Sequence, residues 1–139
     1  MREEVIARLK QRFAAYADLA VSLDDELLTR NIDLAKHKNL AEHLWCVVGA
    51  RESYARAIAQ GSWAGFNCSM EAFTAEDFRV SLDASAAAVV LTLDSVVVWD
   101  AGRTSLLATL AEHEVMHEGQ IIRHMYALEK TLPDSWKWA

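Results

Sequence analysis

Proline occurs once in the 139-residue chain, at Pro133, and glycine only five times, at 49, 61, 65, 102 and 119. So few breakers predict long uninterrupted elements rather than many short ones. Two cysteines, Cys46 and Cys68, are too few for the disulfide framework of a small secreted fold. Basic residues are outnumbered 14 to 20, which leaves a net charge of −6. A nucleic-acid binder needs a basic face to displace phosphate counterions, so that class is disfavoured. The longest apolar stretch, 84–93, lies between Asp83 and Asp94 and is about half the roughly 20 residues of a bilayer span. Met1-Arg2-Glu3-Glu4 leads into an amphipathic pattern with no apolar signal core, and the chain reads as cytoplasmic.

What is present suits one folded domain over 1–139. At 53% hydrophobic and 24% charged, the chain has the apolar material to build a core, the opposite of a disordered composition. Four segments carry helical spacing. Ile6, Leu9, Phe13, Tyr16 and Ala20 make one apolar face, and Asp24-Asp25-Glu26 then opens a short turn or helical piece. A second long helix starts at the N-cap Asn39 and runs to about Gln60, with Leu40, His43, Val47, Ala50, Tyr54 and Ala57/Ile58 inward. The segment Trp63–Cys68 is expected to fold over one end of the bundle as an apolar wall. A third helix begins at Thr74 with an inner stripe of Val80, Ala84, Ala87, Leu91 and Val98, although the β-branched runs at 89–93 and 96–99 also fit strands. A fourth runs from about Thr104 to Lys130, where Leu132-Pro133 stops it. The matched lengths of the third and fourth favour an antiparallel up-and-down bundle, and the two tryptophans of the tail, Trp136 and Trp138, are expected to pack back on it.

The fourth helix carries His113-Glu114-Val115-Met116-His117-Glu118-Gly119-Gln120. At 100° per residue, His113 and His117 lie about 40° apart, with Gln120 and His124 within about 20° of His113. Two neutral imidazoles at i,i+4 can converge on one divalent ion about 2.0–2.1 Å from each nitrogen. His113-Glu-x-x-His117 also spells the zincin peptidase pattern, in which the glutamate is the base. Against that reading, Glu118 follows directly where an uncharged residue is normal, and the chain offers no clear edge strand for a peptide substrate. In a bundle, the missing ligand belongs on a facing helix; His43 and Cys46, at i,i+3 on the second long helix, are the candidates.

These residues resemble the DinB/YfiT-like superfamily of metal-dependent bundle proteins. The resemblance rests on His113–Gln120, similar to that family's His-x-x-x-His-x-Gly-Gln block, and on Asn39-Leu-Ala-Glu-His43-Leu-Trp-Cys46, similar to its second-helix block. It implies an all-α four-helix bundle, frequently dimeric, with a three-histidine site for a divalent ion such as zinc or nickel. His113 and His117 correspond to two of the ligands. An ungapped alignment sets Cys46 at the third; His43 would supply it from one turn earlier. Three protein ligands leave a position for water, and Glu114 would be a catalytic or ligand-orienting residue beside them. The expected function is a metal-dependent hydrolase or thiol transferase acting on a small molecule. The alternative is a non-catalytic dimeric bundle whose histidines are vestigial or bind metal structurally.

Overall fold

Each long apolar periodicity becomes a helix, and all but the first open on a side-chain cap from their own sequence. In the computed structural model, which describes residues 1–139, these are α1 (Arg2–Val21), the short α2 (Asp25–Thr29), α3 (Leu40–Gln60), α4 (Ala75–Ser95) and α5 (Ala101–Ala127), with no strand. Asn39 accepts from the Glu42 backbone N–H while the Glu42 carboxylate accepts from that of Asn39, so two orphan donors of α3 are satisfied at once. Thr74 and Asp77 do the same for α4. Asp24 and Asp100 accept from the Leu27 and Arg103 backbones to open α2 and α5. At the far end of α3, Gly61 takes the left-handed conformation (φ 86°) that ends a helix cheaply only at glycine.

The four long helices form a bundle in which α3 packs on α4 and α5, and α1 packs on the same two. Two apolar clusters fix the directions. One joins Leu9 and Phe13 of α1 to Ile58 of α3, Val89 and Leu93 of α4, and Leu107 and Leu110 of α5. The other joins Tyr16, Leu19 and Ala20 to Leu40, Leu44 and Val47, to Phe78 and Leu82, and to Ile121 and Met125. Thus α3 and α4 run parallel to each other and opposite to α1 and α5. This corrects the expected up-and-down order.

The reason lies in residues 61–74 between α3 and α4. Fourteen residues extend about 46–50 Å, ample to return along a 21-residue helix of about 32 Å. They do not fold over a bundle end but run back along the flank of α3. Trp63 stacks on Tyr54 (4.8 Å), Asn67 donates to Ser53 (2.9 Å), Ser69 to Glu52 (2.8 Å), and Phe66 lies on Trp45 (5.2 Å). A Cβ on Gly49 would collide with the Phe66 ring, so that glycine is what lets the strap lie close.

Helix α4 departs from its expected face. Val80, Ala84, Ala87, Leu91 and Val98 are exposed, and Phe78, Leu82, Ser85, Val89 and Leu93 are buried. From Ala84 to Leu93 the helix is apolar almost all round, so periodicity alone does not choose a side there. The bulkier Phe/Leu set fills the core and the alanines face outward. It also ends at Ser95, and Val96 is extended (ψ 118°), in keeping with the poor helix preference of consecutive β-branched residues. Of the tail tryptophans, Trp136 packs back and Trp138 does not. Trp136 meets Tyr16 edge-on (5.2 Å) and donates its indole N–H to the Ala15 carbonyl (2.8 Å), while Trp138 is exposed. No helix is long and apolar enough to cross a membrane.

Because Trp136 is the tail's buried anchor, Trp136→Ala should lower unfolding free energy by about 3–5 kcal/mol. Urea denaturation of the variant checks this, and a loss below about 1 kcal/mol would mean that the tail only rests on the surface.

Candidate functional site

Between the two apolar clusters lies a layer of charge. Arg51 of α3 and Glu114 of α5 are both 0% exposed. The Arg51 guanidinium donates through Nε to Glu114 Oε1 (2.6 Å) and through Nη2 to Oε2 (3.0 Å). Its Nη1 donates to the Leu82 carbonyl (3.0 Å), and its plane lies over the Phe13 ring (4.4 Å). The arginine therefore touches all three other long helices. The Tyr16 hydroxyl donates to the backbone carbonyl of Glu114 (3.0 Å). One turn along, Arg12 donates to Glu118 (2.6 Å), again buried. Both glutamates of the His-Glu-x-x-His-Glu block are thus held by arginines inside the bundle. The zincin reading needs Glu114 free beside the histidines; here both of its oxygens are engaged by Arg51.

The histidines occupy the neighbouring face of the same turns. His117 Nδ1 lies 2.9 Å from His43 Nδ1, their rings edge-on at 5.2 Å between centroids. The His113 ring lies 4.5 Å from that of His117, and its buried Nδ1 has no hydrogen-bond partner. Burial is the main reason that His43 is pushed down to about 4, with the Lys38 ammonium as the next cause. His117 is pushed down to about 3, chiefly by burial and then by His113, His43 and Lys38. Burial lowers His113 too. Near neutral pH these are uncharged rings with lone pairs available, the protonation state that metal ligation requires.

Of the two α3 candidates, the fold brings His43 to the α5 pair and turns Cys46 elsewhere. The Cys46 thiol accepts from Lys38 Nζ (3.3 Å) and faces a separate depression with Trp45 and Phe73. No three His, Cys, Asp or Glu side chains meet at a single point as a formed metal site. The His43–His117 pair does meet: two nitrogens about 2.05 Å from one ion stand roughly 2.9–3.4 Å apart for angles between 90° and tetrahedral.

In front of the pair opens a cavity of about 600 Å³, walled by the 32–38 loop and by α5 from Val115 to His124. The sequence reading looked for that wall in 63–68, which lies on the other flank. His124 is buried, stacked on His37 at 6.3 Å, with neither ring nitrogen in a hydrogen bond of good geometry. His37 is fixed in turn, its Nε2 accepting from Ile32 N (3.4 Å) and its Nδ1 lying 2.6 Å from the Leu34 carbonyl. All five histidines of the chain therefore gather at one place. Lys36, His37, Lys38 and Arg123 are the residues that helical patterning missed. The available signal was Lys-His-Lys, a basic run in an acidic chain.

Compared with protein-family models the chain matches none, and among curated proteins it likewise finds no match. The four-helix architecture consequently stands on the structure alone.

Two outcomes follow from this geometry. Removing one partner strands the other charge in the core, so Glu114→Leu or Arg51→Met alone should cost about 3–5 kcal/mol. The Arg51→Met/Glu114→Leu double variant should recover most of that loss in a denaturation cycle. If the single losses simply add, the pair is not coupled as described. The histidines set a pH dependence. Their folded pKa values lie below the ordinary 6.5, so between those values the unfolded chain binds more protons and stability rises with pH. The contribution is complete above about 6.5 and is lost as pH falls toward 4 and 3. Metal-free protein should lose more stability between pH 7 and 5 than a His43→Gln/His117→Gln variant, as read from urea midpoints. Equal losses would contradict the assignment.

Proposed function

We propose that His43, His113 and His117 hold a divalent metal ion, zinc or nickel, in a DinB-like bundle protein acting on a small molecule by hydrolysis or thiol transfer. The observation that carries this reading is the contact of His43 with His117, made by two helices and involving rings that stay neutral. The donor chemistry fits. Three imidazoles, two with nitrogens already near ligation spacing and one with an unpartnered buried nitrogen, match a nitrogen-liganded ion with a coordination position left open.

A bound ion of this kind would acidify a water or thiol at its open position enough to make it nucleophilic near neutral pH. The chain's own residues supply the rest. Burial keeps His43 and His117 uncharged, so each ring has one lone-pair nitrogen, and both Nδ1 atoms can face an ion when the ring protons sit on Nε2. Glu114 acts as a positioning residue: held by Arg51, it fixes the rotation of α5 that presents His113 and His117 to α3. Cavity residues Val115 and Met116 give a substrate an apolar surface next to the pair. The other reading, a bundle in which His43 and His117 simply hydrogen-bond each other, is favoured by their 2.9 Å spacing without any third side chain at the same point.

Metal analysis of tag-free protein separates the two. Wild type should carry about one divalent ion per chain, and His43→Ala or His117→Ala should weaken binding by at least 10–100-fold with far-UV circular dichroism unchanged. Cys46→Ala should bind as wild type does. A wild-type protein that takes up no zinc or nickel on titration would leave the hydrogen-bonded pair as the better account.

A further inference from the structure

We infer that the cavity beside His43 and His117 is an anion pocket, built for a small molecule with a carboxylate or phosphate head held by Lys36, Lys38, Arg123 and the buried ring of His124. The inference deepens the proposed metal-site reading, since it names the class of molecule that would reach the open position, and in that respect rests on it.

Charge is the first argument. The chain carries a net −6, yet the cavity lining contains three cations and not one carboxylate. None of the three has an ion-pair partner. The Lys38 ammonium touches only the Cys46 thiol. Of the acids nearby, Glu42 is bonded to the Asn39 backbone and Glu118 through one oxygen to Arg12, while Asp33 of the loop is exposed and not part of the lining. Low-dielectric walls lined by one sign of charge concentrate ions of the other.

His124 is the second, independent argument. It is 2% exposed, lines the cavity, and neither ring nitrogen makes a hydrogen bond of good geometry, the Arg30 backbone carbonyl standing near without closing one. Buried polar groups are ordinarily satisfied, so an orphan imidazole at a cavity wall calls for a ligand that supplies the missing bond. A neutral ring offers one N–H to an oxyanion. The loop is shaped to match: Lys36 adopts φ 58°, a left-handed conformation uncommon outside glycine.

Gly119 is the third. It stands inside α5, where glycine is disfavoured relative to alanine, and a Cβ there would meet nothing within 4 Å. Packing does not require it. It lines the cavity, where a long side chain would take up the open space. At about 600 Å³ the space has the size of a small-molecule site, and Ile32, Leu34, Val115 and Met116 would take an apolar body behind the anionic head.

The test uses metal-free full-length protein titrated at constant ionic strength with sodium succinate and, separately, with inorganic phosphate. The readout is the Cε1–H resonances of the five histidines. Saturable shifts of His124 and His43 are expected with one or both anions, and none with uncharged succinamide; whichever anion binds more tightly identifies the preferred head. Lys36→Ala/Arg123→Ala should weaken binding at least tenfold, Gly119→Leu should abolish succinate binding, and Lys10→Ala on α1 should change nothing. No saturable shift with either anion, or equal binding by the double variant, overturns the inference. Zinc titration of the same samples keeps the two readings apart. Anion binding without zinc binding supports the pocket and removes the metal centre, whereas zinc binding without anion binding does the reverse.

Discussion

The Arg51–Glu114 pair is the contact through which the rest of the bundle is set. A charge taken wholly out of water is costly, and the cost is offset only when every lone pair and N–H finds a partner in good geometry. Arg51 gives each of its three nitrogens an acceptor, reaching from α3 to the two Glu114 oxygens on α5 and the Leu82 carbonyl on α4, and it lays its plane over the Phe13 ring on α1. Few alternative arrangements of four helices would satisfy the same groups. An apolar core tolerates sliding and rotation with modest loss, whereas a bidentate ion pair is directional. Its contribution is therefore better understood as specificity of packing than as net stability, since a well-packed apolar replacement of such a pair is often neutral.

That directionality reaches the histidines through helical geometry. Two i,i+4 pairs interleave within one stretch of α5: Glu114 and Glu118 face the arginines, while His113 and His117, each one residue earlier, sit about 100° round the helix. Fixing the glutamates fixes the imidazoles. A rotation of α5 that brought Glu114 to the histidine side would carry His117 away from His43 and unpair Arg51 in the core. The same sequence block thus cannot serve both as this bundle's charge layer and as a zincin site, although its letters fit either.

How much of this was legible beforehand follows from where side-chain pattern alone decides the outcome. The faces of α1 and α3 and the caps at Asn39 and Thr74 were readable, because amphipathic contrast and cap chemistry are local. The α5 histidine stripe was readable for the same reason. The buried face of α4 was not: with apolar residues almost all round from Ala84 to Leu93, the choice between Phe78–Leu82–Val89 and Val80–Leu91 depends on what the other helices present. Nor was the direction of α4, since a fourteen-residue connection permits either a return or a reversal. Glu114 read as catalytic or ligand-orienting because its partner lies 63 residues away, beyond any local pattern. The cavity wall was sought in an aromatic loop and found in a basic one, for the closure of 32–38 over α5 depends on His37 being held by Ile32 and Leu34.

The charge layer also determines what the histidine cavity presents to solvent. Arg12 and Arg51 neutralise the glutamates nearest to the site, so the cavity's potential is left to Lys36, Lys38 and Arg123. Lys38 also contributes to the low pKa values of His43 and His117. A bare divalent cation entering such a place meets neutral nitrogens that attract it and ammonium groups that repel it. An anion seated on the lysines relieves that repulsion, and an ion on the histidines strengthens the hold on the anion. Linkage makes the two gains equal. On the proposed reading, metal and anionic ligand are therefore bound as partners, and an acidic chain with a basic, histidine-lined cavity is the arrangement such a partnership needs.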